Sequence, residues 1–179
     1  TLIASCFAKG KTKLRNCAIE PEIIDLINFL KKTGAKINFS GARGLNIEGV
    51  QRLKSTSHKV IFDRIETGTY IIASALTKGR LKIKNIIPEI ISNEISILKK
   101  MGVVIDKGKN YIVVTRPGKI KNANIITSPY PGFPTDLQAQ IMVLMTKANG
   151  ASTIKEKIFE NRFMHVPELR RMGADIQVI

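Results

Sequence analysis

An α/β fold assembled from repeated β-α-β-β-α-β units of about 70 residues is what the sequence predicts, and three observations predict it. Two separate internal markers recur in register, strand-like and helix-like periodicities alternate between them, and the composition is that of a chain able to bury a core. The first marker is Ala8-Lys-Gly10-Lys-Thr-Lys-Leu-Arg-Asn16, echoed by Thr77-Lys-Gly79-Arg-Leu-Lys-Ile-Lys-Asn85 and more faintly by Ala148-Asn-Gly150-Ala-Ser-Thr-Ile154. The second is Phe29-Leu-Lys-Lys-Thr-Gly34-Ala-Lys-Ile37, followed by Ile97-Leu-Lys-Lys-Met-Gly102-Val-Val-Ile105 and Leu169-Arg-Arg-Met-Gly173-Ala-Asp-Ile176. The two markers keep a common step, and chance rarely sets two patterns in register at three places.

Each element of the unit has its own local reason. Residues 11–15 and 80–84 alternate long polar with apolar side chains, the period of a half-buried strand. Pro21-Glu22 and Pro88-Glu89 then open helices, with proline where its missing N–H costs nothing and glutamate near the positive end of the dipole. Ile23, Leu26, Ile27 and Leu30 recur at helical spacing, as do Ile91, Ile95 and Leu98, so each helix buries one face. Lys31-Lys32 and Lys99-Lys100 suit a last turn, and Gly34 and Gly102 suit the left-handed residue that ends it. Strands are expected over 35–39 and 103–105, the latter forming a hairpin with Tyr111–Val114 across Lys107-Gly-Lys-Asn110. Second helices are expected over 67–77 and 135–147, and the third unit stops halfway, at Ile179.

Length and composition bound the rest. The chain has 179 residues, 44% of them hydrophobic, with a mean hydropathy of +0.02. A chain of this size buries about 70% of its unfolded surface without a disulfide or metal staple. No window approaches the ~20 unbroken apolar residues of a membrane helix. Lys and Arg number 29 against 14 Asp and Glu, a net +15 that attracts polyanions and phosphorylated metabolites alike. These positives are dispersed and aromatics are 6%, so a solvated lysine-rich surface is the simpler reading. Cys6 and Cys17 lack CxxC spacing, which points to reduced, partly buried thiols rather than a disulfide or zinc site.

Four stretches stand out from this scaffold. Ser128-Pro-Tyr-Pro-Gly-Phe-Pro-Thr-Asp136-Leu-Gln-Ala-Gln140 places three prolines and a glycine before a helix. There Thr135 or Asp136 is either an N-cap or, for Asp136, a carboxylate that a rigid loop presents at a cleft. Asp63-Arg-Ile-Glu66-Thr-Gly-Thr69 holds the corresponding place one unit earlier, where its charges read as capping contacts or a loop ion pair. Phe159-Glu-Asn-Arg162-Phe163-Met-His165 is either a loop anchored in the core by Phe159 and Phe163, or the seat of an anion clamp at Arg162. Glu20-Pro-Glu22 opens the first long helix. His58 and His165 have no metal-ligand spacing, no Walker loop, GxGxxG or GxSxG occurs, and Gly41-Ala-Arg-Gly44 reads as a turn.

These stretches, and above all Glu20–Leu26, Asp63–Thr69, Pro131–Gln140 and Phe159–Leu169, together resemble the enolpyruvyl transferases. The likeness is to the branch acting on UDP-N-acetylglucosamine. The sister branch acting on shikimate phosphate does not look like this around Pro131–Gln140. The resemblance implies a cytoplasmic enzyme that moves the enolpyruvyl group of phosphoenolpyruvate to the 3-hydroxyl of UDP-N-acetylglucosamine, releasing phosphate, in peptidoglycan precursor synthesis. It implies no metal and no organic cofactor. The implied fold is an inside-out α/β barrel of two domains, each of three units. Residues 1–61 would be the last unit of the domain that bears the reactive loop, and 62–179 the first one and a half units of the other.

The same resemblance implies site residues. Asp136 is the expected base at the sugar hydroxyl and Arg162 the clamp for the enolpyruvyl carboxylate. Thr135 and the backbone of Ile158 would line the UDP-sugar pocket, and Glu20 and Glu22 would be acidic residues on the opposite wall. The family's reactive cysteine, its lysine and several arginines would lie outside these residues, in the remaining repeat units, and neither Cys6 nor Cys17 stands in that cysteine's motif. The isolated stretch is therefore expected to be inactive. A basic nucleic-acid-binding module is the alternative that +15 allows, and the lack of clustered aromatics weighs against it.

Overall fold

The computed structural model describes residues 1–77, 79–115 and 118–179. Lys78, within the second copy of the first marker, lies outside them. The chain divides into two compact units, Thr1–Ile61 and Phe62–Ile179.

In the first unit a short helix α1 (Leu2–Ser5) precedes β1 (Lys11–Leu14), α2 (Pro21–Lys32), β2 (Lys36–Phe39) and β3 (Leu45–Glu48). The strands form an antiparallel sheet of order β1-β3-β2, so the last strand in sequence is central, with Leu45 opposite both Leu14 and Phe39. Ile27 and Leu30 of α2 pack on Ile37, Leu45 and Ile47 of the sheet, and Cys6 completes this core. Residues 50–61 have no regular structure and lie along α2. Lys54 N donates to Thr33 O at 2.8 Å, and His58 Nε2 lies 3.1 Å from both carboxylate oxygens of Asp25.

The second unit opens with α3 (Arg64–Leu76) and β4 (Arg80–Lys84). A 3₁₀ turn (Pro88–Ile91) runs into α4 (Ser92–Lys100), and β5 (Val104–Lys107) and β6 (Tyr111–Thr115) follow. Their sheet has order β4-β6-β5, again antiparallel with the last strand central, so it repeats the topology of the first unit. Beyond it, β7 (Ile120–Lys121) and β8 (Asn124–Ile126) pair in parallel with β9 (Ala148–Asn149) and β10 (Thr153–Lys155). The crossover between these pairs contains a 3₁₀ turn (Thr135–Leu137) and α5 (Gln138–Met145), and α6 (Val166–Arg171) follows β10. Ile71, Ile95, Leu98, Ile112, Leu137 and Ile141 bring α3, α4, β6 and α5 into one core.

The sequence markers are conformational markers. Asn16 and Asn85 adopt φ of 53° and 61°, and Gly34, Gly102 and Gly173 adopt 100°, 94° and 90°. These are left-handed conformations that asparagine tolerates and glycine takes at no steric cost. Gly10 and Gly150 share that conformation.

Several expectations need correction. The helix expected from Thr67 starts at Arg64, because Asp63 caps it, accepting from Ile65 N at 2.7 Å and Glu66 N at 3.0 Å. Pro88 opens a 3₁₀ turn before the α-helix, and the helix expected over 135–147 is α-helical only from Gln138 to Met145. The strands β7 to β9, at two or three residues, are too short to leave a period-two signal.

Candidate functional site

The proline-rich stretch between β8 and α5 is closed on itself. Ser128 N donates to Phe133 O at 3.0 Å and Gly132 N to Pro129 O at 2.8 Å, around a cis Tyr130–Pro131 bond. A Cβ on Gly132 would stand 1.7 Å from Ser128 Oγ, so the loop closes this tightly only over glycine. Pro134 occupies the N-cap position of the 3₁₀ turn, and no side chain caps that turn.

The capping reading of Thr135 and Asp136 is therefore overturned. Thr135 Oγ1 donates instead to Glu156 Oε2 at 2.8 Å. The Asp136 carboxylate, 54% exposed, accepts from Arg162 Nη2 at 2.7 Å. The Arg162 guanidinium also stacks over the Phe159 ring, 5.1 Å from its centroid, and Gln138 Nε2 reaches the Arg162 carbonyl at 3.4 Å. Phe159 is 55% exposed and Phe163 is only half-buried, so neither is the expected core anchor. Val166 is the buried residue of this segment.

Glu156, which the sequence reading did not single out, binds these pieces together. Its Oε1 accepts from Thr127 Oγ1 at 2.7 Å, Ile158 N at 2.8 Å and Phe159 N at 3.2 Å. Burial alone would raise its pKa, but the bonds from Thr127, Ile158, Thr135 and Phe159 outweigh that and hold the carboxyl below its ordinary value. Between Lys155 and Lys157 on a strand end, Glu156 reads in the sequence as one more surface charge. Nearby, burial first and the charge of Arg162 second depress the His165 imidazole.

A buried ion pair underlies the loop. Arg64 Nη1 stands 3.9 Å from Glu94 Oε1, with Glu94 only 2% exposed, and the Arg64 guanidinium lies 5.7 Å from the centre of the Tyr130 ring. Burial pushes the Glu94 carboxyl up, opposed by its backbone hydrogen bond and by Arg64. A Cβ on Gly68 would meet Leu137 Cδ1 at 2.4 Å, so α3 sits directly against the turn that carries Asp136.

Asp136, Arg162, Thr135 and Ile158 are thus brought together in one unit. Glu20 and Glu22 lie in the other, at the start of α2. Glu20 occupies its N-cap position without a side-chain cap, and its Oε2 is buried with no hydrogen-bond partner. Glu22 is exposed and lines, with Asp25, Phe29 and His58, a cavity of about 410 Å³. Cys6 is buried, which pushes its thiol up, and Cys17 is half-buried; neither forms a disulfide. Among the described residues no three His, Cys, Asp or Glu side chains are placed to hold a metal ion, and no helix is long and apolar enough to cross a membrane.

The architecture is shared with solved transferases of one class. The enolpyruvyl transferase NikO from Streptomyces tendae superposes with a TM-score of 0.81 at 27% identity, over 94% of this chain and 41% of that one. The fold is also that of EPSP synthase from Acinetobacter baumannii, at a TM-score of 0.55 and 18% identity. Over residues 1–179 the sequence matches the family described as EPSP synthase (3-phosphoshikimate 1-carboxyvinyltransferase), and the chain belongs to this enolpyruvyl transferase family. A relative from Pelagibacter ubique named UDP-N-acetylglucosamine 1-carboxyvinyltransferase is 62% identical over 99% of the chain, and one of the same name from Halothermothrix orenii is 50% identical. The chain spans 42% and 43% of the length of these two relatives.

Proposed function

We propose that this chain is part of an enzyme that transfers the enolpyruvyl group of phosphoenolpyruvate to the 3-hydroxyl of UDP-N-acetylglucosamine, releasing phosphate for peptidoglycan precursor synthesis in the cytoplasm. The names of the 62% and 50% identical relatives support the substrates. The observation that carries the reading is the 2.7 Å pair of Asp136 and Arg162, beside Thr135 and the backbone of Ile158.

The addition needs a group to take the hydroxyl proton and a cation to hold the carboxylate of the enolpyruvyl group. Arg162 presents a planar fork of donors that matches a carboxylate. One arm of that fork donates to Asp136. A substrate carboxylate arriving at Arg162 competes for it and releases Asp136 to accept the proton as the hydroxyl attacks. Thr135 and the Ile158 backbone line the sugar-nucleotide side, and Glu20 and Glu22, in the first unit, are further substrate-binding residues. Residues 1–61 act as the last unit of one domain and 62–179 as the first one and a half units of the other. The remaining units supply the reactive cysteine and the further cations, so the isolated stretch is inactive. The basic nucleic-acid-binding alternative draws no support from the relatives' names. Phosphate release by the full-length protein carrying Asp136→Asn tests the reading: a fall of about 10² to 10⁴ in turnover is expected of a lost general base, and near-normal turnover overturns it.

A further inference from the structure

We infer that Glu156 is the positioning residue that sets Asp136 against Arg162, an inference that rests on the function proposed above. Its carboxylate is a point where both approaches to the site converge. Thr127, fully buried at the entry of the proline-rich loop, and Thr135, at its exit, both donate to Glu156, at 2.7 Å and 2.8 Å. The two hydroxyls therefore pin the two ends of the loop to one side chain, and the residue after Thr135 is Asp136. The same carboxylate gathers the N–H groups of Ile158 and Phe159, which begin the segment leading to Arg162. Lys157 N closes the arrangement by donating to Thr127 Oγ1 at 2.8 Å.

An ionised acid meets all of these donors without rearrangement. Four donors converge on two oxygens, and only a carboxylate offers acceptors on both with no hydrogen of its own. Glutamine keeps the shape, but its oxygen can stay on the three donors at Oε1 only if its NH₂ faces Thr135, whose hydroxyl must then turn from donor to acceptor. Aspartate is one methylene too short to reach both ends. Glu156 touches neither Asp136 nor Arg162 directly, so its effect passes through the backbone on either side of the pair. A displacement of about 1 Å between reacting groups can cost on the order of 100-fold in rate.

The test is made in the full-length protein, comparing Glu156→Gln with Lys155→Ala and with Asp136→Asn, and measuring kcat, KM for each substrate and Tm. Glu156→Gln is expected to lower kcat about 10- to 100-fold while KM changes little, with Lys155→Ala at the parent rate. In the Asp136→Asn background, Glu156→Gln is expected to add almost no further loss, because its effect acts through Asp136. If Glu156→Gln does not fold, Thr127→Val, which removes one of the two loop-end bonds, is measured the same way and should lower kcat in the same direction. A variant that loses Tm while keeping kcat, or a loss that multiplies fully with that of Asp136→Asn, overturns the inference. An inactive Asp136→Asn beside fully active Glu156→Gln and Thr127→Val overturns the positioning role alone. A fully active Asp136→Asn overturns the proposed function and this inference with it.

Discussion

Asp63 and Asp136 precede α3 and α5, two helices that hold corresponding places in the repeat and pack on one another, and the two carboxylates have different partners. Asp63 is an N-cap, its Oδ1 accepting from the N–H groups of Ile65 and Glu66. Before the second helix a 3₁₀ turn intervenes, entered at Pro134, and neither Pro134 nor Leu137, the N-cap of α5, offers a capping side chain. Thr135 turns its hydroxyl to Glu156, and Asp136 is left to project toward Arg162. The contrast teaches that a carboxylate at a helix start becomes available for chemistry when it lies inside the first turn and not at its cap position. The uncapped entry forgoes about 1 kcal/mol of helix stability, the usual worth of such a cap.

The largest effect that would break this contrast is on turnover. Asp136→Asn in the full-length protein should reduce turnover by the 10² to 10⁴ given above and leave Tm nearly unchanged, since no cap is lost. A marked fall in Tm with turnover intact would make Asp136 a second Asp63. Next in size is Gly68→Ala, where the two helices meet. Its new methyl would overlap the Leu137 side chain, and destabilisation of about 1–3 kcal/mol is expected in denaturant titrations, unless Leu137 changes rotamer without cost. Asp63→Ala should cost about 1 kcal/mol, read in the same titrations, with kcat within a few-fold of the parent. Loss of turnover comparable to that of Asp136→Asn would refute the division of roles.

The smallest effects concern pH, and they contrast two other carboxylates of this unit. The Glu156 carboxyl is held below its ordinary value of 4.5, so its ionised form contributes stability that is present above that value and lost as pH falls through the folded value. The Glu94 carboxyl is raised, so ionising it costs stability, a cost absent below 4.5 and complete above its folded value. Thermal melts from about pH 7 to about pH 3 should therefore show opposite trends. Relative to the parent, Glu156→Gln recovers as pH falls, whereas Glu94→Gln fares better as pH rises. Parallel trends would mean that the hydrogen bonds to Glu156 do not outweigh its burial.

Much of the scaffold was legible in the sequence because its causes are local. Pro21 and Lys31-Lys32 bracket α2 as expected, and Gly34 and Gly102 sit where the chain turns left-handed. The alternation at Arg80–Lys84 became β4, and Gly41–Gly44 became the turn between β2 and β3, where Ser40 N donates to Gly44 O at 2.8 Å. The reading failed where partners are distant. Phe159 looked like an anchor by its size, yet it lies exposed under the Arg162 guanidinium.

The sequence by itself determined the repeat, the strand periods and the proline and glycine ends of α2, and the motifs that name Asp136 and Arg162 as the residues to watch, because each is a property of neighbours along the chain. Only the tertiary structure decided that Asp136 meets Arg162 across 26 residues, and that Glu156 gathers Thr127 and Thr135 across 29 and 21. A hydrogen bond formed at such separations leaves no periodicity in the sequence. It exists because the parallel crossover from β8 through α5 to β10 brings the two loops to the same end of one strand pair.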